Sequence, residues 1–367
     1  MAVARSERLI VPDALRGIAI VAMLIAHANP LLPQLPRVVQ FVIANVNDLA
    51  SPLFALVMGM SAQLVWNTSR RVGATLLQQA IRGLVLVALG LWVATWGSWV
   101  AVVLSYLGLL LIVGVPLLLL GSRVLAVVLA IVVVVGAPLN ELARGQAGQI
   151  LSSNILVQHL ADWTALGHSY RLTNLLPFFL LGALLLRNGL RRNRTMWVML
   201  AVAPFAYAVR PVLEKGLHQP TPVSGSYPDT LHDVGLVFVA YAVIVLLASL
   251  PRGGAVVAGP FALLRIWGQL ALSLYLLHVW IVSLWAGSIG WPASNMPVAW
   301  GSVVLVPLAV AWLWGRFVGT GPVEWLMGAV SGRPKPLIVR RRVVPGAVFA
   351  HSDLGQRQKP QRNNTAH

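Results

Sequence analysis

The sequence predicts an all-α, polytopic membrane protein of about ten transmembrane helices with both termini in the cytoplasm. Three observations carry that prediction. Apolar runs of about 20 residues recur from one end to the other, each long enough to cross a bilayer. Only 10% of the 367 residues are charged and 58% are hydrophobic, whereas a soluble domain carries about 25% charged residues. Arginines fall in alternate connections between the runs, which is the pattern that sets membrane orientation.

The spans expected from the apolar runs are roughly 14–32, 49–66, 76–96, 99–120, 123–139, 172–187, 195–210, 231–250, 262–286 and 297–318. One side collects Arg5, Arg8, Arg70, Arg71, Arg123, Arg187, Arg191, Arg192, Arg194, Arg252 and the basic tail. The other side has Arg37, Arg144, Arg171, Arg210 and Lys215. The richer side is read as cytoplasmic. A net charge of +17 would point to nucleic acid in a soluble chain. Here the arginines set topology, so no nucleic-acid partner is expected and the partner is the lipid bilayer. The chain has no Cys, which excludes disulfides and thiolate metal sites. The first apolar run leads straight into polar motifs, so it reads as a span and not as a cleavable signal peptide.

Two connections on the sparse side are long. Asn140–Arg171 contains His159, Asp162, Trp163 and His168, and Arg210–Thr230 contains Glu214, His218, Asp229 and four Pro. They read either as caps over an outward-facing site or as solvated loops. Residues 1–330 form one transmembrane domain, and 331–367 read as a basic, disordered cytoplasmic tail that touches anionic lipid through Arg340–Arg342. No internal repeat of the kind common in transporters is visible.

Ionisable groups inside apolar helices are costly and mark candidate sites. In the first span Asp13 and Arg16 share a helix face, either as an anchoring ion pair or as substrate contacts. His27 lies about 21 Å further along the helix, in the outer half of the membrane. Asn47 and Asp48 open the second span from the outer side, so Asp48 is expected level with His27, where a carboxylate orients an imidazole for proton transfer. The competing role for such a His is an interhelical hydrogen bond. Arg82 lies too deep in span three to be a topology signal; a buried guanidinium takes a phosphate or a carboxylate such as Asp13. Gln269, Tyr275 and His278 follow one another along span nine, with His278 expected at the depth of His27. Tyr106 and Asp233 complete a candidate polar chamber, or else act as interhelical hydrogen-bonding residues. No His and carboxylate spacing suits a metal, so none is expected.

These residues fall in recognisable motifs. PDALRGIAIVAMLIAH, Pro12–His27, resembles the first-helix signature of the membrane acyltransferase-3 family. Asp13, Arg16 and His27 match that family's Asp–x–x–Arg–Gly opening and its essential His. ALSLYLLH, Ala271–His278, resembles the same family's late Tyr–Leu–x–His element. NVNDLASPLFALVMGMS, Asn45–Ser61, is similar to the second helix of the heparan-α-glucosaminide N-acetyltransferase-like proteins and of a related group of uncharacterised bacterial membrane proteins. LLPFFLLGALLLR, Leu175–Arg187, and GTGPVEWLMGAV, Gly319–Val330, resemble elements of that bacterial group. The heparan-type His about ten residues before the second-helix Asp is replaced here by the neighbourhood Arg37–Val39.

The resemblance implies an integral acyltransferase of the bacterial-type plasma membrane. It would move an acyl group, acetyl above all, from cytoplasmic acyl-CoA to a hydroxyl or amine of an envelope glycan or lipid-linked sugar. It gives catalytic roles to His27, Asp48 and His278. Arg71 and Arg82 would bind CoA phosphates, although the family's Arg–x–x–Arg spacing is not kept. Acyl-CoA is then a co-substrate, with no permanently bound cofactor. A homo-oligomer is a possible assembly. The alternative is a transporter or an envelope-assembly protein on the same fold.

Overall fold

The structure is a computed structural model that describes residues 10–69, 71–249, 255–332, 336 and 338. Arg5, Arg8, Arg70, Arg252 and Arg340–Arg342 lie outside the described residues, as does nearly all of the tail. The described chain is helical. In order, the helices are α1 (Ile10–Ala28), α2 (Arg37–Thr68), α3 (Val72–Ala94), α4 (Leu104–Leu117), α5 (Ser122–Gly145), α6 (Ala147–Leu151) and α7 (Ile155–Ala161). They continue with α8 (Leu172–Asn188), α9 (Arg194–Pro211), α10 (Tyr227–Ala248), α11 (Ala255–Gln269), α12 (Ala271–Ile289), α13 (Pro297–Phe317) and α14 (Pro322–Val330). Among the described residues eight helices are long and apolar enough to cross a membrane, and α4 and α8 are shorter apolar helices. Each of the ten expected spans overlaps one of these. Helices are the form in which such sequences satisfy their backbone groups without water.

Helix α1 is the centre of the bundle. About 67% of its apolar window is buried, against 11% for α5, whose valines face outward. Around α1 pack α2, α10, α11, α12 and α13, and α2 in turn packs most extensively on α8. Glycine permits that last contact. A Cβ on Gly59 would overlap the Phe179 carbonyl, and one on Gly182 would overlap the Leu56 carbonyl, so the two backbones touch reciprocally. Gly17 and Gly268 play the same part between α1 and α11.

Three expectations are corrected in detail. The second span begins well before 49, because the α2 helix starts at Arg37, and Asp48 is therefore interior to it. Span nine is not continuous. It breaks between α11 and α12 at Leu270, whose φ of −108° and ψ of 17° leave the helix. The Glu324 carboxylate, from the start of α14, caps the new helix by accepting from the Leu272 and Ser273 amides at 2.7 and 3.1 Å and from the Ser273 hydroxyl. The long connection after Asn140 is not irregular loop: it completes α5, forms α6 and α7, and ends in a π-helical turn at Asp162–Leu166.

Arg187 does more than signal topology. Its guanidinium donates to Gln63 Oε1 at 2.8 Å and to the Leu120 and Leu118 carbonyls at 2.8 and 2.7 Å. It thereby satisfies carbonyls at the end of α4 that have no helical partner.

Candidate functional site

His27 and His278 meet. His27 Nδ1 lies 2.9 Å from His278 Nε2, and the two rings meet edge to edge and nearly coplanar, 11° apart with centroids 5.2 Å apart. His278 is fully buried. Its Nδ1 lies 3.2 Å from the Leu274 carbonyl one turn back. The Tyr275 ring sits edge-on to His278, with centroids 5.1 Å apart, and the Tyr275 hydroxyl accepts from the Val103 amide at 3.3 Å. Trp99 Nε1 donates to the His27 carbonyl at 3.0 Å, which fixes the end of α1 where the chain turns away.

Next to the pair lies a cavity of about 390 Å³. One end is polar: Asp13, Arg16, Ser61, Gln79, Arg82 and Gln269 line it. Apolar side chains from α2, α3 and α4, among them Phe54, Met58, Leu86 and Leu107, form its walls. At the other end stand Met23 and Tyr275. Met23 is one helical turn before His27, and Tyr275 is one turn before His278, so the imidazole pair stands directly past the cavity's apolar end. At the polar end Gln269 donates to Asp13 Oδ2 at 3.1 Å. Arg16 lies 3.8 Å from Asp13 Oδ1 and donates to the Ser61 hydroxyl. Glu324 also reaches the cavity wall.

Three residues expected around His27, namely Asp48, Asp233 and Tyr106, are elsewhere. Asp48 does not orient His27. The Asp48 carboxylate accepts from Arg210 at 3.0 Å and from Asn47 at 3.3 Å, and lies 3.7 Å from His232 Nε2. Arg210 also reaches Glu214 at 3.1 Å and Asp229 at 3.4 Å. Asp233, one turn past Asp229, shares the electrostatics of this second cluster. The face of α2 that carries Asp48 points to α9 and α10. Tyr106 does not join the chamber either. It donates to Asp162 Oδ2 at 2.6 Å and stacks edge-on against Tyr170, 5.6 Å away, tying the π-helical turn to α4. Burial pushes the Tyr170 phenol up to about 12. Arg71 is exposed at the start of α3, outside the cavity lining, while Arg82 lines it.

The two long connections are stitched together. Arg171 donates to the Ser224 and His168 carbonyls, and Asn140 donates to Asn174 Oδ1 at 3.1 Å and to the Gly225 carbonyl at 3.4 Å. Sequence reasoning missed Ser61, Gln79 and Glu324 as cavity residues. The Gly–Pro–x–Glu–Trp motif signalled Glu324, but nothing local said that its carboxylate caps a distant helix. Arg210 was counted only as a rare outer cation; its signal was Glu214 four residues on.

Comparison with curated proteins returns no match. The model of the family described as heparan-α-glucosaminide N-acetyltransferase, catalytic, matches residues 8–218. That segment carries α1 to α9, and with them His27, Asp48, Arg82 and Arg210; His278 comes from beyond it. With more than half of its length matched, the chain belongs to the heparan-α-glucosaminide N-acetyltransferase catalytic family.

Proposed function

We propose that the chain is a multi-pass membrane acetyltransferase of bacterial plasma-membrane type. It takes an acetyl group from acyl-CoA and places it on a hydroxyl or amine of an envelope glycan or lipid-linked sugar. The observation that supports this most is a cavity that runs from a polar end with two arginines to Met23 and Tyr275, each one helical turn short of the His27–His278 pair. The arginine distribution between the spans supports a polar end that faces the cytoplasm. Arg82 offers a planar donor for CoA phosphates, and Arg71, exposed just before α3 and outside the cavity lining, offers a second. The apolar walls suit a pantetheine arm that carries the thioester toward Tyr275.

At the thioester the roles divide as follows. The acceptor oxygen or nitrogen attacks the carbonyl carbon while His27 takes its proton. The Tyr275 hydroxyl, whose oxygen already accepts from Val103, donates its own hydrogen to the developing oxyanion. The carbon–sulfur bond breaks and the CoA thiolate leaves with the proton held by His27. In the other version of the same chemistry His27 carries the acetyl group itself before the acceptor arrives.

The test uses detergent-purified protein and acetyl-labelled CoA. His27→Gln is expected to lose at least about 10²-fold in transfer or hydrolysis while keeping its melting temperature. Arg82→Ala is expected to weaken CoA affinity about tenfold. Full activity in His27→Gln refutes the assignment, and label retained on wild-type protein alone favours the acetyl-histidine version.

The cluster of Asp48, Arg210, Glu214, Asp229 and His232 favours a second reading. Ionisable groups gathered on membrane helices also mark transport paths. A transporter would show solute flux into proteoliposomes without CoA.

A further inference from the structure

The hydrogen bonds around the two imidazoles have a single consistent polarity. The Leu274 carbonyl, 3.2 Å from His278 Nδ1, can only accept, so His278 carries its proton on Nδ1. A neutral imidazole has one N–H, which leaves His278 Nε2 as a lone pair. His27 Nδ1 lies 2.9 Å from that lone pair and must donate to it. The remaining nitrogen, His27 Nε2, then holds the free lone pair. We infer that His278 is the positioning residue for His27, holding it in the Nδ1–H tautomer so that Nε2 is the atom that accepts the proton of the acceptor. The kinetic part of this rests on the proposed acetyl transfer; the tautomer part does not.

The arrangement fills the place that a carboxylate holds in other histidine bases. Neither of the nearest candidate carboxylates on α1 and α2 is used: Asp13 pairs with Gln269 and Arg16, and Asp48 with Arg210. Against His278 the titratable neighbour is Tyr275, and against His27 it is His278. A backbone carbonyl thus sets the direction of the whole relay, from Leu274 through His278 to His27. The near-coplanar rings, 11° apart, let the His27 N–H point along the in-plane lone pair of His278. The second histidine comes from α12, outside the segment that the family model matches.

The experiment is nitrogen NMR on ¹⁵N-histidine-labelled full-length protein in detergent. His27→Asn assigns one ring among the eight histidines. Wild type is expected to show both His27 and His278 protonated at Nδ1 and bare at Nε2. In His278→Ala, His27 is expected to revert to the Nε2–H form that a histidine side chain in water prefers. His278→Gln places an amide oxygen where Nε2 stood and is expected to restore the Nδ1–H form. In parallel, His278→Ala is expected to lower kcat about 10²-fold with KM for acetyl-CoA nearly unchanged. His278→Gln is expected to recover most of that loss. Wild-type His27 found in the Nε2–H form overturns the inference, whether or not any variant folds. So does a His27 tautomer that ignores His278→Ala. Nδ1–H tautomers in a protein that transfers no acetyl group support the positioning and overturn the proposed activity instead.

Discussion

At the scale of single residues the site turns on which way a side chain points. A rise of 1.5 Å per residue led to the expectation that His27, Asp48 and His278 share a depth, and His27 and His278 do meet. It could not say which faces of α1, α2 and α12 look at one another. His278 faces His27, whereas Asp48 faces Arg210, so the expected His–carboxylate pair became a His–His pair with a separate ionic cluster. That difference is measurable. Asp48→Asn leaves Arg210 with Glu214 and Asp229 and removes one charged hydrogen bond, expected to cost about 1–3 kcal/mol of stability. Acetyl transfer in that variant is expected to fall far less than in His27→Gln. A loss of activity equal to that of His27→Gln, at unchanged stability, would return Asp48 to the catalytic chemistry. Asp13, Arg16, Gln269 and Arg82 were legible as polar residues in apolar helices, and all four line the cavity. Ser61 and Gln79 were not, because a single neutral polar residue in a span is common and carries no local mark.

At the scale of elements, every expected span has its helix, since long apolar runs allow little else in a bilayer. The misplaced boundaries have physical causes. The first turns of α2 are apolar but exposed, with Val38 at 75%, and the Asn–Val–Asn–Asp segment inside it looks like a helix start. The break at Leu270 is invisible locally because apolar residues continue on both sides; Glu324, more than fifty residues on, supplies the cap. Close helix contact, by contrast, depends on glycine in a way that can be tested by adding one methyl group. Gly182→Ala drives a Cβ into the Leu56 carbonyl and is expected to cost about 2 kcal/mol or more. Gly73→Ala meets open space at the start of α3 and is expected to be neutral or slightly stabilising, by a few tenths of a kcal/mol. Thermal unfolding in detergent compares the two; equal shifts would contradict the α2–α8 contact.

At the scale of the whole molecule, a buried central helix carries the candidate site and peripheral helices such as α5 meet the lipid. The polar end of α1 opens on the arginine-bearing end of the cavity, and its far end holds the imidazole against His278. That layout suits a donor entering from one side and an acceptor from the other, which is the account's central claim. Because the chain has no cysteine, a single thiol placed in the cavity reports its occupancy without background. Met58 lines the cavity wall. The most direct measurement is the rate at which a small thiol reagent modifies Met58→Cys with and without acetyl-CoA. Acetyl-CoA is expected to slow that rate at least about fivefold, with the protection lost in the Arg82→Ala background. A modification rate indifferent to acetyl-CoA, in folded protein, would contradict the claim that this cavity receives the donor.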